Sequence, residues 1–131
     1  MMKRFKFNPN EGLILCKARL ADKEQSAFVK LVVDTGASIT MISIETALAI
    51  GIDPAKSTRQ VEITTASGTV LVPIIKIPSF TCFGIEIKNL DTVCHNLPSQ
   101  SPVDGLLGLN FLSSAKIIID FSKNIISAPD K

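Results

Sequence analysis

Leu31-Val32-Val33-Asp34-Thr35-Gly36-Ala37-Ser38 is the stretch on which the fold turns. Three apolar residues run into an acid, a hydroxyl and a glycine. The apolar run reads as a buried strand. Its end delivers a carboxylate to the edge of a core, where a charge is costly unless it is hydrogen-bonded or used. An Asp two places before a Gly is also a common turn residue that bonds its own backbone. Taken alone, the tripeptide leaves both readings open.

On the N-terminal side, Phe5 and Phe7 alternate ahead of an Asn8-Pro9-Asn10 turn. Leu13–Leu20 reads as a strand, Ala21–Gln25 as a polar hairpin loop, and Ala27–Val33 as the returning strand. On the C-terminal side, Ser43 suits a helix N-cap, Glu45 suits the first turn, and Gly51 suits the position after the end. This short helix is expected to bury Ala47, Leu48 and Ile44. Val61, Ile63 and Thr65 alternate with Glu62 and Thr64. Ser67-Gly68 then turns the chain into Thr69–Val72, a β-hairpin with a small flexible tip. Pro73 and Pro78 predict a sheet edge or a bend. Short strands follow at Ile74–Ile77, Phe80–Phe83, Ile85–Ile87 and Leu90–Cys94, then a loop from His95 to Asp104. Gly105–Gly108 reads as a buried strand and Asn110–Ser114 as a short helix. Ile117–Phe121 and Ile125–Ala128 form a last hairpin, which Pro129 ends. Many short strands, close turns and two short helices predict an all-β closed barrel or sandwich. The 131 residues fit one domain, 1–131.

Composition removes several classes of function. There is no Trp or Tyr and only seven Phe, too few for a carbohydrate platform or a stacking surface for single-stranded nucleic acid. The net charge is +2, and no basic stripe continues from Lys3, Arg4 and Lys6, so neither nucleic acid nor an anionic membrane is implied. No window is apolar enough to span a membrane. The opening Met-Met-Lys-Arg-Phe has no apolar segment behind its charges, which predicts no signal peptide and a cytoplasmic location. Three cysteines at long spacings predict free buried thiols. The one histidine, His95, has no metal-ligand spacing and no nucleophile elbow near it. No metal or other cofactor is expected.

A second segment stands about seventy residues after the first: Gly105-Leu106-Leu107-Gly108-Leu109-Asn110-Phe111-Leu112. With the Asp-Thr-Gly and the hairpin between, it resembles the single-domain retropepsin-like aspartic proteases. The order of elements matches from about Leu13 to Ala128. The resemblance implies one lobe of a two-lobed enzyme and a homodimer, because Asp-Thr-Gly occurs only once. Two aspartates about 3 Å apart cannot both ionise and share a proton. One then takes a proton from a water held between them, and the other donates to the scissile carbonyl. The pair would titrate as a unit.

By the same resemblance, Asp34, Thr35 and Gly36 are the catalytic residues, with the Thr35 hydroxyl bonding across the two-fold axis and Gly36 allowing close backbone approach. Ala37 and Ser38 would line the substrate cleft. Thr65, Ala66, Ser67 and Gly68 would form a flap tip that closes on an extended peptide. Leu106, Leu107 and Gly108 would support the Asp-Thr-Gly loop. Met1–Phe7 and Ile125–Ala128 are the natural candidates for dimer strands. Retroviral members usually pair an acid after the Gly-Ala with an Arg after the apolar-apolar-Gly. Here those positions are Ser38 and Leu109, so both charges are absent together.

Two other readings compete. One is a non-proteolytic peptide-binding or dimerisation module that keeps the fold, distinguished by normal function after Asp34→Ala. The other is a hydrolase or phosphotransferase with Asp34 as nucleophile. That chemistry needs a second acid for Mg²⁺ and usually a Gly-rich anion loop on an α/β scaffold, neither of which the strand-rich pattern offers.

Overall fold

The computed structural model describes residues 2–130. Ten strands and two short helices follow in order. They are β1 (Met2–Lys6), β2 (Leu15–Asp22), β3 (Gln25–Val33), β4 (Thr40–Ile42), α1 (Ile44–Ala49), β5 (Gln60–Thr65), β6 (Gly68–Cys82), β7 (Ile85–Cys94), β8 (Gly105–Leu107), α2 (Leu109–Ser114), β9 (Ile118–Asp120) and β10 (Ile125–Pro129).

Seven strands form a sheet in the order β2-β3-β8-β4-β7-β6-β5, and a further pairing of β2 with β6 closes it into a barrel. Closure removes the open edges that an antiparallel sheet of this size would otherwise expose. The alternating residues of β2 and β3 fill the interior: Ala18, Leu20, Val29 and Leu31 are buried, and Lys17, Arg19 and Lys30 face out. Phe80 and Phe111 meet inside with ring centroids 5.5 Å apart, so α2 plugs one end of the barrel. A separate three-stranded sheet has the order β1-β10-β9.

The hairpins are tighter and longer than the sequence pattern suggests. The first turn is only Lys23-Glu24, since Asp22 already pairs with Gln25. Lys23 reaches φ 54°, which lets two polar residues do what five were expected to do. At the tip of the β5–β6 hairpin the two turn residues are Ala66-Ser67, with Thr65 paired to Gly68. The four short strands expected between Ile74 and Cys94 are two long ones, joined by Phe83-Gly84 with φ of 54° and 75°. Both prolines stay inside β6. Its ladder with β5 ends at Pro73, and its ladder with β2 starts at Ser79, just after Pro78. Each proline sits where the strand changes neighbours, so few hydrogen bonds are lost.

The helix α1 starts as expected, with Ser43 Oγ accepting from Thr46 N at 3.1 Å. Its inner face differs. Ala47, Thr46 and the following Ile50 are buried, while Leu48 and Ile44 are exposed. The cause is which face turns inward: Ile44 and Leu48, four residues apart, share one face, and Thr46 and Ile50 share the opposite one, which packs on the core.

All three cysteines are free and buried. Burial pushes the Cys94 thiol up to about 12. The Cys82 thiol is raised as well, first by its hydrogen bond with Cys16 and then by burial. Neither is a thiolate at neutral pH, so neither is poised as a nucleophile.

Phe111→Ala should cost about 3–5 kcal/mol of folding stability, read from the denaturant midpoint, because a ring in the barrel interior is replaced by a cavity. Leu48→Ala, on an exposed helix face, should stay within about 0.5 kcal/mol of wild type in the same titration.

Candidate active site

Asp34 lies at the end of β3, on the loop that carries the chain over to β4. Between those two strands lies β8, parallel to β3 (Val33 beside Leu107) and antiparallel to β4 (Met41 beside Leu106). Residues 34–39 must therefore cross over the end of β8. The crossing is tied down by main-chain bonds. Asp34 N donates to Leu107 O at 2.9 Å, Leu109 N to Ala37 O at 2.8 Å, and Asn110 N to Ser38 O at 3.2 Å. The segment Leu107–Asn110 is thus bonded directly to Asp34–Ser38.

The crossing leaves no space under the loop. A Cβ on Gly108 would come within 2.7 Å of Ile39 C and 2.8 Å of Thr40 N. Both are backbone atoms that cannot swing aside. A Cβ on Gly105 would run into Met41 O in the same way. The glycines bracketing Leu106-Leu107 are there for close approach of backbones rather than for unusual φ.

Within the loop, Asp34 Oδ1 accepts from Gly36 N at 2.9 Å, and Ala37 N donates to Asp34 O at 3.2 Å. This is the local Asp-turn that the bland reading foresees. One carboxylate oxygen is held by its own turn, and the half-buried side chain keeps the other for further bonds. Thr35, Gly36 and Ser38 are exposed and Ala37 is half-buried, so the loop presents a surface around the acid.

Two residues that sequence reasoning passed over fix the loop from below. Thr40 is fully buried. Its N and Oγ1 both donate to Asn110 Oδ1 at 2.9 Å, and its Oγ1 accepts from Gly108 N at 3.0 Å. Asn110 Nδ2 then donates to Asp91 O at 2.7 Å on β7. The signal was available: a Thr inside the apolar run Ile39–Ile42 and an Asn following Gly108-Leu109 are polar residues in places that bury them.

The Asp91 side chain extends this network outward. It accepts from Arg59 Nη1 at 2.9 Å and Nη2 at 3.2 Å, and from Lys76 Nζ at 3.1 Å. The Arg59 guanidinium holds the carboxyl down at about 2, against 3.8 for a free Asp. Arg59 stands at the foot of β5, the first strand of the β5–β6 hairpin. An open depression of about 470 Å³ beside it, lined by Asp53, Lys56 and Arg59 among others, does not reach Asp34.

The tip of the β5–β6 hairpin is held by itself: Thr65 Oγ1 donates to Gly68 O at 2.9 Å and accepts from Ser67 N at 3.2 Å. Among the described residues, no hydrogen bond joins the tip to the Asp34 loop. The hairpin root does reach the site. Val61 and Ile63 pack with Met41, Val72, Ile74 and Val93, against Ile39 and Leu106 from the two crossing segments. On another side, Asp34 borders a cavity of about 470 Å³ walled by Phe7, Leu13, Ile14, Val32 and Phe121. The chemistry on offer is one half-buried carboxylate with a free oxygen, on a loop tied down by main-chain bonds and bordered by a cavity with apolar walls.

Among known proteins, a family model described as "gag-polyprotein putative aspartyl protease" matches residues 23–114, well over half of the chain. No curated protein matches by sequence. Among solved structures, the chain is similar to a retropepsin-like aspartic protease from Rickettsia conorii. They share 26% identity at a TM-score of 0.75, over 98% of this chain and 89% of the other.

Thr40→Val keeps the volume but leaves Gly108 N and Asn110 Oδ1 short of a partner. It should cost about 1–3 kcal/mol by denaturant titration. Asp91→Asn should remove an acid-limb contribution to stability. The Asp91 carboxyl falls from 3.8 to about 2 on folding, so its stabilisation is present above about pH 4 and lost as pH falls towards 2. Thermal melts at pH 7 and pH 2.5 should therefore differ less for the variant, by a small margin because the pair is solvent-screened.

Proposed function

The chain belongs to the gag-polyprotein aspartyl protease family and has a retropepsin-like fold, and from that premise we propose that it is a homodimeric aspartic endopeptidase. The observation that carries the reading is the Asp34 loop: one carboxylate, raised at the end of β3, on a crossing that Leu107, Thr40 and Asn110 hold in place. One chain supplies one such acid. Two chains related by a two-fold axis supply a matched pair.

The reaction then needs only groups already described. Asp34 from each chain holds a water between the two carboxylates. The ionised one removes a proton from the water, and the resulting hydroxide adds to the scissile carbonyl carbon. The protonated one gives its proton to the carbonyl oxygen, and a neutral tetrahedral diol forms. Collapse of the diol returns protons to the leaving amine and to the dyad, and no covalent enzyme intermediate forms. Rigidity matters because a displacement of about 1 Å in such a pair can cost about a hundredfold in rate. Thr35 would brace the two loops across the axis, and Gly36 with Ala37 and Ser38 would receive the substrate backbone.

Substrate binding follows from the walls. Thr65–Gly68 would descend on an extended peptide and add strand-like hydrogen bonds. The cavity bounded by Leu13, Val32 and Phe121 beside Asp34 is apolar and about 470 Å³, which suits a large apolar side chain next to the scissile bond. Leu109 and Ser38 stand where retroviral members carry a charged pair, so this cleft should not select by that charge.

Asp34→Asn should abolish peptide cleavage while sedimentation still reports a dimer. Retained turnover in the variant would sink the mechanism. Specific activity of the wild type should fall on dilution as dimers separate, because half a site has no second carboxylate. Constant specific activity in a protein shown to be monomeric at assay concentration would contradict the pairing.

A further inference from the structure

We propose that the outer face of the β2–β3 ladder is a docking site for acidic segments of a protein substrate, with Lys17, Lys30 and Phe28 receiving residues that lie outside the cleft. This rests on the proposed endopeptidase and names a class of substrate for it.

Strand register assembles the site. Lys17 stands directly opposite Lys30, Arg19 opposite Phe28, and Leu15 opposite Val32. Side chains two apart share a face, and the alternate set, Ala18, Leu20, Val29 and Leu31, fills the barrel. Lys17, Arg19, Phe28 and Lys30 therefore point outward together, and all four are exposed. Cations scattered along the chain become one patch around a ring.

The patch is uncompensated within the chain. Like charges directly opposite each other destabilise a sheet. Among the described residues the ion pairs are those of Asp91 with Arg59 and Lys76, so no carboxylate answers Lys17, Arg19 or Lys30. The acids at the margins are engaged. Asp104 Oδ2 accepts from Lys30 N at 2.9 Å, and Glu86 Oε2 accepts from Ser79 Oγ at 2.6 Å. Lys17 Nζ lies 5.5 Å from the centre of the Phe28 ring, yet Phe28 stays 66% exposed. Cations around an uncovered ring suit a partner that brings carboxylates and an apolar side chain.

Position identifies the partner. Val32, on the same face of β3, lines the cavity that Asp34 borders. Lys30 lies four positions before Asp34 in the chain. At the rise of a strand that is about 13 Å, which an extended peptide covers in about four residues. A substrate cut at Asp34 can therefore run over Val32 and lay its next residues on Lys30, Lys17 and Phe28. A two-fold dimer offers one such patch on each side of the cut. A lone ring offers no series for stacking bases, so a polypeptide fits this face better than single-stranded nucleic acid.

The test uses two peptides with the same apolar core, flanked on both sides from about the fourth residue by Glu in one and by Gln in the other. The wild type should cleave the Glu peptide with kcat/KM about fivefold higher. The gain should lie in KM, because contacts far from the scissile bond act alike on ground state and transition state. About 0.5 M NaCl should erase it. Lys17→Glu should abolish the preference. Lys56→Glu, the same charge change on an exposed residue elsewhere, should keep it. Fluorescence anisotropy with Asp34→Asn should rank the two peptides in the same order by binding alone. Equal kcat/KM for the two peptides, or a preference that Lys17→Glu leaves intact, overturns the docking site while the peptidase stands. Tighter binding of the Glu peptide with cleavage of neither overturns the peptidase and keeps the site. Binding of neither peptide overturns both. Oligouridylate that binds the wild type but not Lys17→Glu, while the two peptides bind alike, assigns the face to nucleic acid and overturns the proposal.

Discussion

Thr40 Oγ1 accepts a hydrogen bond from Gly108 N while it donates one to Asn110, and this one hydroxyl sits where two segments of the chain cross. The β3–β4 connection has to pass over β8, and a crossing of backbones buries polar groups with no strand to pair them. Left unpaired, each would cost about 1–3 kcal/mol. Thr40 and Asn110 satisfy them without adding charge, and Gly108 removes the Cβ that would hold the two backbones apart. The Asp34 loop inherits its position from that solution. The fold beneath places the loop, and the bond from Gly36 N to Asp34 Oδ1 then orients the carboxylate within it.

Sequence reading recovered the parts that have a period or a motif. Asp34-Thr35-Gly36 and Leu106-Leu107-Gly108 stood out because a charge or a glycine interrupts apolar runs. The β5–β6 hairpin stood out because its faces alternate. The barrel's all-β character followed from the turns. What was missed depends on contacts across the fold. Leu48 was assigned to the core because its side chain is apolar, yet Ile50 occupies the inward position. Pro73 and Pro78 predict an edge or a bend, and they fall where β6 exchanges β5 for β2. Thr40, Asn110 and Asp91 gave little signal, since a network of single polar residues has no spacing of its own.

The long strand β6 does more than complete the barrel. Its first six residues belong to the hairpin with β5 and its last four to the ladder with β2. Hairpin and barrel wall are thus one continuous strand, with the hairpin root packed on Ile39 and Leu106. Arg59, just before the other strand of that hairpin, is anchored to Asp91, whose own carbonyl holds Asn110. The parts that would cover a peptide and the part that would cut it therefore share one floor.

The crossing also sets an order of events during folding. Thr40 and Asn110 are separated by 70 residues. Strand β8 cannot take its place between β3 and β4 until the chain through Leu107 exists, and closing so long a loop is slow compared with forming the local hairpins. The hairpins β2–β3 and β6–β7 have the short connections that permit early formation. The acid-bearing loop is left without its floor until the last third of the chain docks. A nascent or truncated chain thus carries the Asp-Thr-Gly loop without the floor that fixes its position.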